Sequence, residues 1–149
     1  MSSPATEGSR AVDRVQPQRD RLREAHQGFA SACDAPDVSR EMLIDRLDLL
    51  RTAFEIHVAY AEGEGGLFEE LLDDAPNEAA QEVDRLKRDH QVIGGAIDRA
   101  AGLLAEGAAP DDDRLVEVTV ELLRLVGQHR RRGAELLHNV YAVDVGGGD

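Results

Sequence analysis

Residues 43–72, LIDRLDLLRTAFEIHVAYAEGEGGLFEELL, decide how this chain folds. Read at helical spacing, one stripe runs through Leu43, Leu47, Leu50, Phe54, His57, Ala61, Glu64, Phe68 and Leu71. Steps that alternate between three and four residues keep side chains on one face of an α-helix, so this face packs against other helices. A histidine and, two turns on, a glutamate interrupt the apolar run. Neither suits a dry core without a partner, because a buried polar group that leaves water must gain a hydrogen bond or pay in stability. A lone core histidine is more often a packing residue than a ligand. The reading therefore turns on what the rest of the chain sets beside His57.

Upstream, residues 1–17 form an expected flexible tail, small and polar at the start and closed by Pro17, so that a regular helix begins near Gln18. From there Leu22, His26, Phe29 and Cys33 make one stripe, ended by the breaker at residues 34–37. The second helix starts at Asp37 or Ser39, either of which can cap it, with Glu41 in the first turn. Gly63, Gly65 and Gly66 each cost roughly 1 kcal/mol in a helix relative to Ala, yet the stripe resumes in phase at Phe68. The expectation is a helix that continues through a local distortion such as a π-bulge, with a full break as the alternative.

Downstream, residues 73–77 form a turn in which Pro76 suits a helix start. The third helix carries Ala79, Val83, Leu86, His90, Ile93, Ile97, Ala100 or Ala101, and Leu104. Residues 107–110 end it, and the aspartates at 111–113 cap a fourth with Leu115, Val118, Leu122, Leu125, His129, Leu136 and Val140. Residues 146–149 are an expected flexible end. Four amphipathic helices joined by short turns predict an all-α, up-down-up-down four-helix bundle over residues 18–145.

Composition agrees. At 149 residues the chain suits one domain, and with 3% aromatics and no Trp its core is aliphatic. A net charge of −13 argues against nucleic acid and against an anionic membrane surface as partners. Cys33 is the single cysteine and cannot form an internal disulfide. The first ten residues lack the basic start and apolar run of a signal peptide, so the expected location is the cytoplasm.

Each of the four helices carries one histidine on its inward stripe: His26, His57, His90 and His129. His57, His90 and His129 fall towards the middle of their helices, which lets the histidines meet at one level. Protonated, converging imidazoles repel; neutral, each has a donor and an acceptor to satisfy. A transition metal satisfies them together, and imidazole suits Fe, Zn, Cu and Ni. His138 falls on the opposite face.

These residues carry a resemblance. His26 in LREAHQGF, His57 in FEIHVAYAE, His90 in RDHQVIGGAI and His129 in VGQHRRRGAELL resemble the ligand pattern of hemerythrin-like (HHE cation-binding) domains over about residues 18–143. The resemblance implies a hemerythrin-like bundle with a non-haem iron centre, dinuclear in that family, that binds or senses O₂, NO or peroxide. It also implies carboxylate ligands four residues after the second-helix and fourth-helix histidines. Those positions are Ala61 and Gly133 here. The nearest acids are Glu62 and Glu64 on the second helix and the poorly aimed Glu135 on the fourth. Metal-ligand candidates are therefore His26, His57, Glu62, Glu64, His90 and His129, with iron as the expected cofactor. A mononuclear site or another metal stays open, as does a homodimer. The alternative function is a di-metal oxidase or oxygenase acting on a small organic substrate.

Overall fold

The computed structural model describes residues 10–142. All regular structure among them is helical: a 3₁₀ turn at Ala11–Arg14, then α1 (Val15–Asp34), α2 (Arg40–Glu62), α3 (Leu67–Asp74), α4 (Pro76–Ala105) and α5 (Asp113–Tyr141). The four long helices form a closed ring of neighbours, α1 on α2, α2 on α4, α4 on α5 and α5 on α1. Cross-helix contacts run in opposite chain directions. Arg19 and His26 of α1 meet the carbonyls of Arg130 and Leu123 of α5, while Arg51 and Glu62 of α2 meet Asp98 and His90 of α4. Neighbours are thus antiparallel, as short connections require.

The helix ends follow local chemistry. Ser39 caps α2, its hydroxyl accepting from the Met42 N–H at 3.1 Å, and Asp112 caps α5 by accepting from the Arg114 N–H at 2.9 Å. Pro76 opens α4, where a missing N–H costs nothing. Gly107, at φ +99°, closes α4. Its N–H donates to the Leu104 carbonyl at 3.1 Å, and the N–H of buried Ala108 donates to Leu103 at 3.0 Å. This pairing satisfies carbonyls that the helix leaves open.

Two expectations change. The second helix does not run on through a bulge; it stops at Glu62, and residues 63–66 form a turn before α3. The glycines permit the break. A Cβ at Gly63 would lie 2.5 Å from the Ala59 carbonyl oxygen, and one at Gly66 would collide with the Tyr60 and Gly63 carbonyls. Phe68 and Leu71 are buried all the same, so the apolar stripe survives while the helix does not.

The second change is at the N-terminus. Residues 11–17 do not belong to a loose tail: Ala11 and Val15 are buried, and Pro17 falls in the first turn of α1, where proline is tolerated. The Glu70 carboxylate of α3 accepts the N–H groups of Ala11 (2.6 Å) and Val12 (2.9 Å), the Tyr60 hydroxyl donates to the Ala11 carbonyl, and Arg10 pairs with Asp74. The expected flexible ends at residues 1–9 and 146–149 lie outside the described residues.

The core has two apolar clusters. One contains Leu22, Phe29, Leu50, Phe54, Ile93 and Val126; the other contains Val15, Ala61, Phe68, Leu86 and Leu136. The residues between them in sequence on the four long helices are Arg19, His57, His90 and His129. A polar layer divides the core.

The turn at 63–66 gives a direct test. Gly66→Ala is expected to destabilise by about 2–3 kcal/mol, lowering the midpoint of thermal unfolding by circular dichroism by roughly 5–10 °C. Gly65→Asn, at φ +70° with open space around it, is expected to change the midpoint little.

Candidate metal centre

His57, His90 and His129 meet in the polar layer, His90 and His129 projected from the middle of α4 and α5 and His57 from the last two turns of α2. The Nε2 atoms of His57 and His129 lie 3.0 Å apart, and those of His90 and His129 lie 3.2 Å apart. All three residues offer a ligand atom within 4.8 Å of the others. The rings stand steeply to one another, at 85°, 89° and 65°, like spokes aimed at one point. Phe68 stacks on His90 at 5.7 Å and Phe54 meets the same ring edge-on, so the imidazoles have packed walls.

The far side of two rings decides their tautomers. His90 Nδ1 lies 2.5 Å from Glu62 Oε2, and His129 Nδ1 lies 3.0 Å from Asp89 Oδ2. An ionised carboxylate only accepts, so both Nδ1 atoms carry the proton and donate. Both Nε2 atoms then present lone pairs to each other. His57 Nε2–H can satisfy one of them, but one proton cannot serve both. A buried acceptor left without a donor costs about 1–3 kcal/mol.

A metal ion resolves this conflict, since all three imidazoles can bind it through Nε2. With metal–nitrogen bonds of about 2.1 Å at tetrahedral angles, ligand nitrogens sit about 3.4 Å apart. The observed 3.0 and 3.2 Å separations need only a small expansion. Carboxylates on the opposite ring nitrogens are the usual support of metal-binding histidines, because they orient the ring and raise its basicity.

Electrostatics keeps the His57 and His90 imidazoles neutral. Burial, reinforced by the neighbouring His129 and His90, pushes His57 well below its ordinary value of 6.5. Burial and the His129 charge lower His90 to about 4 despite the opposing pull of Glu62. At neutral pH both rings are uncharged. Burial works against ionising Asp89, but hydrogen bonds from His129 and Arg132 outweigh it and hold the carboxyl below its usual range. Arg132 also braces Asp89 at 2.8 Å.

Of the residues expected from sequence, the structure brings His57, His90 and His129 together, and sets Glu62 behind His90. It does not bring His26 or Glu64 to the cluster. His26 lies one helical level away, its Nε2 3.0 Å from the Leu123 carbonyl and its Nδ1 3.0 Å from Arg130. On the antiparallel α1–α5 pair Gly133 meets Arg19 and Gly127 meets His26, so the level of His129 falls between Arg19 and His26. Glu64 is exposed because α2 ends before it. Glu135 and His138 are exposed as well. Tyr60 and Tyr141 donate elsewhere, to the Ala11 carbonyl and to Asp74.

Two residues around the cluster escaped the sequence reading. Asp89 precedes His90 and reaches across to α5, a cross-helix contact with no local signature. Arg19 was legible in principle: Val15, Arg19 and Leu22 continue the first stripe backwards through Pro17.

Beside the cluster lies a cavity of about 30 Å³, lined by Arg19, Leu22, His57, Ala61, His129 and Gly133 among others. A single water needs roughly 10–15 Å³ in the same measure, so this space takes a very small molecule.

Comparison with known protein families, with curated proteins and with solved structures finds no match. No helix among the described residues is long and apolar enough to cross a membrane.

The depressed histidines predict an acid-sensitive metal-free protein. Between pH 6.5 and about 4 the unfolded chain binds more protons at His90 than the folded chain, so stability falls as pH is lowered through this window. His90 alone accounts for on the order of 3 kcal/mol, and His57 adds in the same sense. Urea unfolding of chelated protein at a series of pH values measures it, and His90→Gln is expected to flatten the slope.

Proposed function

We propose that this protein is a hemerythrin-like metal-binding bundle in which His57, His90 and His129 hold one transition-metal ion through Nε2, and that a small ligand binds at the ion's open coordination positions. The observation that carries the reading is the pair of Nδ1–carboxylate hydrogen bonds, which leave the Nε2 lone pairs of His90 and His129 facing each other at 3.2 Å with His57 Nε2 3.0 Å away. A metal cation satisfies them together. Three neutral imidazoles suit iron, zinc, copper or nickel; the resemblance of the histidine pattern favours iron. O₂, NO and peroxide are the ligands of this reading.

A dinuclear centre is the weaker form of the proposal. A second ion needs further ligands, and His26 and Glu64 point elsewhere while Ala61 and Gly133 have none to give. The small cavity likewise favours a ligand of a few atoms over the organic substrate of an oxygenase.

Elemental analysis of protein never exposed to chelator, with absorption spectra of the reduced form before and after admitting air, tests the proposal. About one metal ion per chain is expected, with an air-dependent band if the metal is iron. No metal at all would sink the reading. His57→Leu separates it from a metal-free bundle: the metal site predicts lost metal and lost stability of the loaded protein, whereas a purely structural histidine predicts equal or higher stability.

The supporting carboxylates have their own signature. Glu62→Gln and Asp89→Asn are each expected to weaken metal binding by about 10–100-fold, measured by competition with a chromophoric chelator.

A further inference from the structure

We propose that the cavity between α1 and the imidazole cluster binds a small monovalent carboxylate or oxyanion, held by the Arg19 guanidinium on one side and the metal on the other. The proposal rests on the metal reading above and extends it to the ligand's charge.

Arg19 is the α1 member of the polar layer. Its Nη2 donates to the Arg130 carbonyl at 3.2 Å, but its Nε–H is buried with no hydrogen-bond partner, and among the described residues no carboxylate forms an ion pair with it. Burial and the adjacent Arg130 charge lower its pKa to about 10, which still leaves it charged at neutral pH. A buried guanidinium with an orphan donor is costly unless something accepts from it.

The cavity supplies the room. Ala61 and Gly133 stand four residues after His57 and His129, one turn along the same helix faces, and both line it. Neither fills the space in front of Arg19; the guanidinium itself reaches to 3.1 Å from where a Gly133 Cβ would lie. Charge points the same way. Glu62 and Asp89 are engaged with the imidazoles behind the cluster, and Asp89 is also shared with Arg132. A divalent ion beside Arg19 therefore leaves positive charge facing a small space whose lining includes no carboxylate. An anion with one oxygen on the metal and another accepting from Arg19 Nε–H neutralises it and satisfies the orphan donor. At about 30 Å³ the space suits about three non-hydrogen atoms, as in formate or nitrite, and not an aromatic acid.

Cobalt-loaded protein reports coordination through its visible absorption, so formate is titrated into wild type, Arg19→Met and Arg19→Lys, with benzoate as the size control. Saturable spectral change with formate and none with benzoate is expected in wild type. Arg19→Met should weaken formate by about 10–100-fold with cobalt content unchanged, and Arg19→Lys should fall between. No response to formate, an equal response to benzoate, or equal formate affinity in a folded Arg19→Met protein would overturn the proposal and leave the metal site standing. Failure of the wild type to take up cobalt would instead overturn the metal reading and, with it, the ligand position proposed here. Should Arg19→Met not fold, the formate–benzoate contrast in wild type still decides.

Discussion

Two hydrogen bonds, His90 to Glu62 and His129 to Asp89, organise the centre of this protein. Each takes the proton of one ring nitrogen and so turns the other nitrogen into an acceptor. Because the helices bring those acceptors within 3.2 Å of each other, the interior holds a concentration of lone pairs that one His57 proton cannot satisfy. The proposed binding of a cation rests on this arrangement. An imidazole trio without carboxylates behind it could share protons around the ring of three; with them, the choice of tautomer is made from outside.

The bundle supports that arrangement by dividing its core. Apolar clusters above and below hold the four long helices in register, and the polar layer between them takes one residue from each: Arg19, His57, His90 and His129. Phe54 and Phe68 wall in the rings. The layer's fourth member is a cation, not a fourth imidazole, and this single difference changes the chemistry. A histidine there would add a ligand; an arginine adds a positive charge and an unsatisfied donor facing a small cavity.

The turn at residues 63–66 connects this layer to the rest of the chain. By ending α2 directly after Glu62, it leaves that carboxylate at the helix terminus, where it reaches His90 on α4. It also turns α3 so that Glu70 can receive the N–H groups of Ala11 and Val12. The 3₁₀ turn and the first turn of α1 are thereby drawn against the cluster of Phe68, Leu71 and Leu137. Val15 and Arg19 sit where they do because a carboxylate nearly sixty residues away holds the segment before them.

The helices and their inward faces were legible in the sequence, because apolar spacing is a local property that a core must satisfy residue by residue. The same spacing placed His57, His90 and His129 on buried stripes, and the caps at Ser39 and Asp112 and the stop at Gly107 were written in residue type. Tertiary structure alone decided three things. Depth along antiparallel helices separated Arg19 from His26, since the register of α1 against α5 cannot be read from either helix by itself. Close backbone approaches that only glycine permits at 63 and 66 made an expected distortion a break, which took Glu64 out to solvent. Contacts between helices recruited Asp89 and Glu70, because a carboxylate's partner depends on which N–H the fold brings within 3 Å, and that distance exists only once the bundle has closed.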